Sequence, residues 1–466
     1  MTRWALAALL LVAAAQASAQ VRAIVDVTVI DVEDGTERAH QTVVLDGETI
    51  HGVGPAEDVR LTPDVERIDG AGRFLIPGLW DMHVHAHRAG RWAWHYPLYR
   101  AFGVVGVRDA GTHLGSALAW RQRAAADPMA PHVVWGSPII DGAPQFNSFG
   151  LSAEDEEAGR QLVRLMQQLG FDFVKVYDRL TPDAYRGIAD EAMRVGIPVE
   201  GHVPLALSPA DAVLAHQRLI DHLTLVLEAC VPGALDMVHA ERAAHPEEVD
   251  SLALLMDPRL VARLPEYDRP YCDAQFRAFA EHDVWQVPTL VQMYGFFHAD
   301  DPAVTADPRS DTVPPAVLAQ WHGLASEEDP VDLANGRAVL AAQMAMIRPM
   351  QDAGVGLLAG TDASTEAWVF PGSGLHDELA LLVQAGLTPA EALRTATLNP
   401  LVYQSREPAG RVIAVGEPAD LVLLDADPLA AIGNSRAIAA VFARGLYHDR
   451  AALDALVEQA RLAARQ

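Results

Sequence analysis

One short run in this chain combines residue types and spacing suited to metal chemistry: Ile76-Pro77-Gly78-Leu79-Trp80-Asp81-Met82-His83-Val84-His85. Side chains alternate along a strand with a period of two, so His83 and His85 point the same way and both imidazoles can reach one cation. In a chain with 18 histidines, one such pair means little by itself. His87 continues the alternation and makes His85 and His87 a competing pair; the first is preferred because Asp81-x-His-x-His follows Pro77-Gly78 directly. Four more residues sit in comparable places. Lys175 lies in the apolar run Phe171–Tyr177, where an unpaired charge is costly, and reaction with CO₂ would turn it into a carbamate anion able to bridge two cations. His202, His222 and Asp362 each end a short apolar run. Each has an ordinary explanation when taken singly: a core histidine, a surface lysine, an aspartate capping a helix. Their shared placement does not.

The elements that would position them follow a βα rhythm. Eight apolar runs, Phe74–His85, Gly103–Asp109, His132–Ile139, Phe171–Tyr177, Pro198–His202, Leu219–His222, Val284–Leu290 and Val355–Asp362, alternate with helical stretches. That alternation predicts parallel strands closing into a (β/α)₈ barrel across residues 73–405. The ligand-type residues then stand at the ends of strands one, four, five, six and eight, the face on which barrel active sites form. Ser152-Ala153-Glu154-Asp155 predicts a capping box opening a helix that runs to Leu169, and Thr388-Pro389-Ala390-Glu391 predicts another. Two connections, 224–283 and 291–354, are too long for single helices, and their loops would shape the mouth or merely decorate the surface. Val21–Ile68 and Gly410–Val441 read instead as short alternating strands broken by turns.

Residues 1–19 are expected to be a signal peptide: Arg3, then the apolar stretch Ala5–Ala15, then Ala17-Ser18-Ala19 as a cleavage site. The apolar stretch is too short to span a bilayer, and no later segment is long enough. The chain is therefore expected in the periplasm or secreted, without membrane insertion once cut. With 62 acidic against 35 basic residues and a formal charge of −27, nucleic acid is excluded as a partner. Homo-oligomerisation stays open. So does pairing of the two cysteines, Cys230 and Cys272, which export would permit but sequence cannot establish.

Taken together, these stretches resemble the amidohydrolase superfamily, in its imidazolonepropionase-like and prolidase-like (Xaa-Pro dipeptidase-related) branch. The likeness is carried by Pro77–His85, Val107-Arg108-Asp109-Ala110-Gly111, Phe173–Tyr177, Gly201-His202-Val203-Pro204, Asp221-His222-Leu223, Ala359-Gly360-Thr361-Asp362-Ala363, Leu375-His376-Asp377-Glu378-Leu379, Ala396-Thr397-Leu398-Asn399-Pro400 and Ala419-Asp420-Leu421-Val422. The resemblance implies two divalent ions, zinc by ligand type. His83, His85 and Asp362 would hold one and His202 and His222 the other, with carbamylated Lys175 and a hydroxide bridging. It also implies that segments 20–72 and 406–466 form a β-sandwich beside the barrel, with a terminal helix. Leu401-Val402-Tyr403-Gln404-Ser405 departs from the family's usual Ala-rich helix, a change expected to alter only the connection to the terminal domain.

The expected reaction is hydrolysis of a C–N amide bond in a small peptide or amide, a dipeptide or N-acyl amino acid by resemblance. The metals would activate water and polarise the carbonyl while Asp362 carries the proton to the leaving amine. Cyclic-amide, lactone or ester hydrolysis at the same metals is the alternative. Tyr177, His376 and Arg108 are the candidate substrate contacts; packing, loop orientation and an internal ion pair are the competing roles. Tyr294, Phe296 and Phe297 could line an apolar pocket or join the core. Gly372-Ser373-Gly374 resembles a nucleophile turn but is expected to lack the start of a helix behind it.

Overall fold

The computed structural model describes residues 21–86, 92–146, 150–327, 329–363, 367–405 and 412–465. The expected signal peptide and His87 lie outside them. Short, nearly continuous apolar runs become strands buried on both faces, as parallel strands under helices must be. Leu79–Val84 and Val104–Asp109 are buried at every position. Strands one to three (Leu79–Val84, Val104–Asp109, His132–Trp135) form one parallel sheet. Strands four to seven (Val174–Val176, Val199–Gly201, Leu219–Asp221, Trp285–Val287) form another. A bridge between Gly136 and Phe173 joins three to four, one between Gln286 and Leu357 joins seven to the eighth run, and one between Val84 and Ala363 closes eight onto one. The barrel and its order are those the βα rhythm predicts.

The first run divides at Gly78. Leu79–Val84 enters the barrel, whereas Phe74–Pro77 pairs antiparallel with Leu421–Leu424 in the terminal sheet. Both settings want the same apolar strand, so composition could not mark the change. As expected, the two ends of the chain come together in one terminal β-sheet domain, its eight strands linked by hydrogen bonds. Arg22–Ile30 holds it together, pairing with Glu37–Asp46 on one edge and with Glu66–Asp69, then Phe74–Pro77, on the other. Its register slips between Ile24 and Val27, around Asp26 at φ 62°, a bulge of the kind that bends a strand. The sheet buries its own core, which includes Ile24, Val29, Val43, Leu75, Leu421 and Phe442.

Thr388 caps the helix Pro389–Thr395 through the expected capping box. Ser152 does not: it lies in a short strand, and Asp155 caps the helix Glu156–Gln168 by accepting from the Ala158 amide. The two long connections are mostly helical. Asp257-Pro258, Asp301-Pro302, Asp307-Pro308 and Asp329-Pro330 each start a helix, the aspartate accepting a backbone N–H and the proline taking the first turn. Within the first connection, Cys230 and Cys272 form a disulfide, their Cα atoms 5.1 Å apart. Among the described residues no helix is long and apolar enough to cross a membrane.

Candidate metal centre

Strands one and eight build the first half of the site. Asp81 clasps them together: its carboxylate accepts from the Thr361 amide at 3.0 Å and the Thr361 hydroxyl at 2.7 Å. Strand eight must also approach His83 closely, since a Cβ on Gly360 would lie 2.8 Å from both the Cβ and the amide nitrogen of His83. The result sets Asp362 Oδ1 3.7 Å from His83 Nε2 and 3.2 Å from His85 Nε2. Ligand atoms of these three buried residues all lie within 4.8 Å of one another.

His202 and His222 form the second half, their ring centroids 5.0 Å apart and the His222 ring 4.6 Å from that of His83. Each is oriented from behind through Nδ1. His202 meets the buried Asp178 carboxylate at 2.7 Å, and His222 meets the Thr289 hydroxyl at 2.6 Å. The Nε2 atoms are thereby directed to the mouth, and that of His222 stands 3.8 Å from Asp362 Oδ2. His222, Thr289 and Asp362, at the ends of strands six, seven and eight, all have left-handed backbones, with φ of 59°, 49° and 61°. Three non-glycine residues in this conformation at one rim are strain held by the surrounding structure, as functional sites hold it.

Lys175 stands fully buried on strand four. Its stem passes Gly201, whose φ of 131° and 3.1 Å clearance between an added Cβ and Lys175 Cδ require glycine. The amine donates to Asp221, whose other oxygen lies 3.2 Å from His83 Nδ1 and 3.3 Å from Arg108 Nη1. Arg108 also donates to Glu200 at 2.7 Å, and Glu200 accepts the Tyr403 hydroxyl. The departure at Leu401–Ser405 therefore reaches further than a connection: Tyr403 enters the barrel floor and joins a buried chain that ends under Lys175.

Burial pushes the Lys175 amine down, outweighing its Asp221 partner, with Arg108 acting in the same direction. Burial likewise keeps His83 and His222 below the usual histidine range, in the neutral form that binds metal. For Asp362 burial acts upward, but the hydrogen bond from the His85 ring holds the carboxylate below its usual range. A divalent cation fits these residues. Among the described residues His83 Nε2 is fully buried without a hydrogen bond, and neutral imidazoles converging with an ionised carboxylate are the donor set zinc takes.

The substrate candidates fall in three different settings. Tyr177 is at the mouth, half-buried, its ring 4.0 Å from that of His202. Arg108 is wholly buried between two internal carboxylates, which raise it despite burial, so the internal ion pair is its role in place of a substrate carboxylate. His376 is turned away from the mouth. Burial holds it neutral, down to about 4, so Nε2–H donates to the Phe102 carbonyl at 3.0 Å while Nδ1 accepts from Ser435 at 2.8 Å. That fixes the helix Ser373–Gln384 against the terminal domain. Ser373 does start this helix, contrary to expectation, but its buried hydroxyl faces Arg309 Nη1 at 3.4 Å, a cation that takes no proton. Phe296 and Phe297 are core, while Tyr294 is partly exposed and stacked on His298. Sequence reasoning missed Asp178, Asp221, Glu200 and Thr289. The Asp221-His222 pairing was visible, but nothing in it says what the aspartate would hold.

Known proteins share both sequence and shape with this chain. The model of the amidohydrolase family matches residues 74–446. An imidazolonepropionase of Pseudomonas paraeruginosa (strain DSM 24068 / PA7) is 28% identical over 193 residues, 38% of this chain; the match spans 44% of that curated relative's length. A bottromycin amidohydrolase superposes over 95% of this chain and 90% of its own, with TM-score 0.72 at 23% identity. A structure described as a putative prolidase from Bifidobacterium longum covers 95% of this chain and 99% of its own, with TM-score 0.64 at 21% identity. A Xaa-Pro dipeptidase with bound methionine covers 92% and 100%, with TM-score 0.63 at 16% identity. At these identities the structures establish a shared fold.

Proposed function

This chain belongs to the amidohydrolase family, and from that premise we propose that it is an exported, two-metal hydrolase of C–N amide bonds in dipeptides or N-acyl amino acids. The observation carrying the proposal is the rim itself: His83, His85 and Asp362 cluster within 4.8 Å, and among the described residues His83 Nε2 is buried without a hydrogen bond. His83, His85 and Asp362 would hold one divalent cation, His202 and His222 a second, and Lys175, as its carbamate, would stand between them. Bound there, zinc would acidify water and polarise the scissile carbonyl.

The chain's own residues do the remainder. Asp362, ionised and facing three histidines, takes the proton of the attacking water and returns it to the leaving amine. Asp178 and Thr289 fix the ring orientation and tautomer of His202 and His222. Burial favours the neutral amine of Lys175, the form that reacts with CO₂, and Arg108 supplies a nearby positive charge for the resulting anion. Tyr177, beside His202, is placed to bond a substrate carbonyl or carboxylate. The Cys230–Cys272 disulfide supports export, because such bonds persist in oxidising compartments.

The test is a hydrolysis panel of dipeptides and N-acyl amino acids, extended to cyclic amides, lactones and esters. Amine release that a chelator abolishes and zinc restores is the expected result. Metal-dependent turnover confined to the cyclic amides, lactones or esters would replace the dipeptide reading with the alternative, and no turnover of any substrate would overturn both.

A further inference from the structure

The loop after strand three holds an aromatic ring in the open at the mouth. Phe146 is 48% exposed, yet several groups fix it. The fully buried Asp141 carboxylate accepts the amides of Gly142 at 2.9 Å, Phe146 at 2.9 Å and Arg179 at 2.7 Å. Arg179, itself buried, donates to the carbonyls of Pro144 at 3.0 Å and Glu247 at 2.5 Å, which ties the loop to the long connection before strand seven. Its guanidinium carbon lies 5.5 Å from the centre of the Phe146 ring. That ring stacks on Tyr177 at 5.9 Å with 29° between planes, and Tyr177 lies 4.0 Å from His202. A ladder of three rings thus runs from a metal-ligand candidate to solvent.

Single exposed apolar residues are common and need no explanation. A buried carboxylate satisfying Phe146's own amide, and an anchored guanidinium beside its ring, make this one a preorganised surface. Binding to a ring already fixed loses little conformational entropy.

We propose that Phe146 is the wall of a substrate subsite that takes a large apolar side chain, aromatic or branched aliphatic. The subsite rests on the hydrolase reading above and names its substrate class: amides of hydrophobic amino acids, not of small or charged ones. Tyr177, between Phe146 and His202, sets the distance from this wall to the reacting bond.

The experiment compares wild type, Phe146→Ala and Phe146→Tyr on N-acetylphenylalanine, N-acetylleucine and N-acetylglycine and on the matching dipeptides. Wild type is expected to show higher kcat/KM for the phenylalanine and leucine substrates. Phe146→Ala should cut that preference by roughly 2- to 12-fold, the size of one aromatic pairing. Phe146→Tyr, which keeps the ring, should keep the preference. An unchanged ratio in Phe146→Ala, or an equal loss on every substrate, overturns the subsite. Calorimetric binding of N-acetylphenylalanine against N-acetylglycine separates the two claims. A preference in binding that Phe146→Ala removes upholds the subsite even where no amide is cleaved, and then the hydrolase reading alone falls. Equal binding of both by wild type overturns the subsite whatever the turnover.

Discussion

Asp178→Asn isolates the positioning of one proposed metal ligand, His202. Asp178 is buried and serves two donors at once, His202 Nδ1 at 2.7 Å and the Ser251 amide at 2.9 Å. Burial alone would raise this carboxyl, but His202 and Ser251 hold it below its usual range, so it acts as an anion. Asparagine has the same shape and offers one acceptor where two are needed. If its oxygen stays on His202, its NH₂ faces the Ser251 N–H; if it flips, two donors meet at His202. Either way one buried donor loses its partner, a penalty of about 1–3 kcal/mol. Loss of such an orienting partner typically weakens metal binding by about 10- to 100-fold, in line with that energy. Competition with a chromophoric chelator would read zinc affinity at both positions. The position served by His202 should drop by this factor, the other should hold, and kcat at saturating zinc should largely recover because Asp178 touches neither metal nor substrate. Two affinities within about twofold of wild type would show that Asp178 does not set the orientation of His202.

Other consequences are equally concrete. Burial pushes Glu378 up to about 8, while its carboxylate oxygen takes the Val291 amide at 2.7 Å and caps the helix Leu290–Phe297. Thr289, at that helix's N-cap, leaves the capping to Glu378 because its hydroxyl holds His222. With the folded value above the unfolded one, this group's stabilising contribution is complete below the ordinary glutamate range and is lost as pH rises through about 8. Glu378→Gln cannot ionise, so its melting temperature should gain on wild type steadily from pH 5 to 8; a constant difference would contradict the assignment. The disulfide closes a separation of 42 residues, worth about 4 kcal/mol by chain entropy. Protein purified without reductant should therefore show no titratable thiol, and the double serine variant should melt earlier; two free thiols would refute the bridge. Asp362→Asn should retain most of its zinc but lose about 10²–10⁴-fold in kcat, whereas near-normal turnover would remove Asp362 as proton carrier.

What the sequence could and could not convey follows from range and redundancy. His83 and His85 were legible because strand alternation fixes their common direction within three residues. The barrel was legible because eight runs recur in a rhythm that few folds share. The orienting shell was not. Asp178 serves His202, 24 positions away, and Arg108 meets Glu200 across 92, distances that no local pattern spans. Arg108 looked available to substrate for the same reason: nothing near it in sequence shows the two carboxylates that enclose it. The split at Gly78 was hidden because both sheets ask for the same apolar residues. The helical nature of the long connections was a different matter, since four Asp-Pro pairs announce helix starts by a local mechanism.

Metal reconstitution tests the central claim most directly. Chelator-stripped protein would be titrated with zinc in the presence of bicarbonate, with amine release from a cleaved dipeptide or N-acyl amino acid followed at each step. Activity is expected to be absent at the start, to rise with added zinc and to level off at about two equivalents per chain. Full activity in the stripped protein, or a plateau at one equivalent, would contradict the two-cation rim built by His83, His85, Lys175, His202, His222 and Asp362.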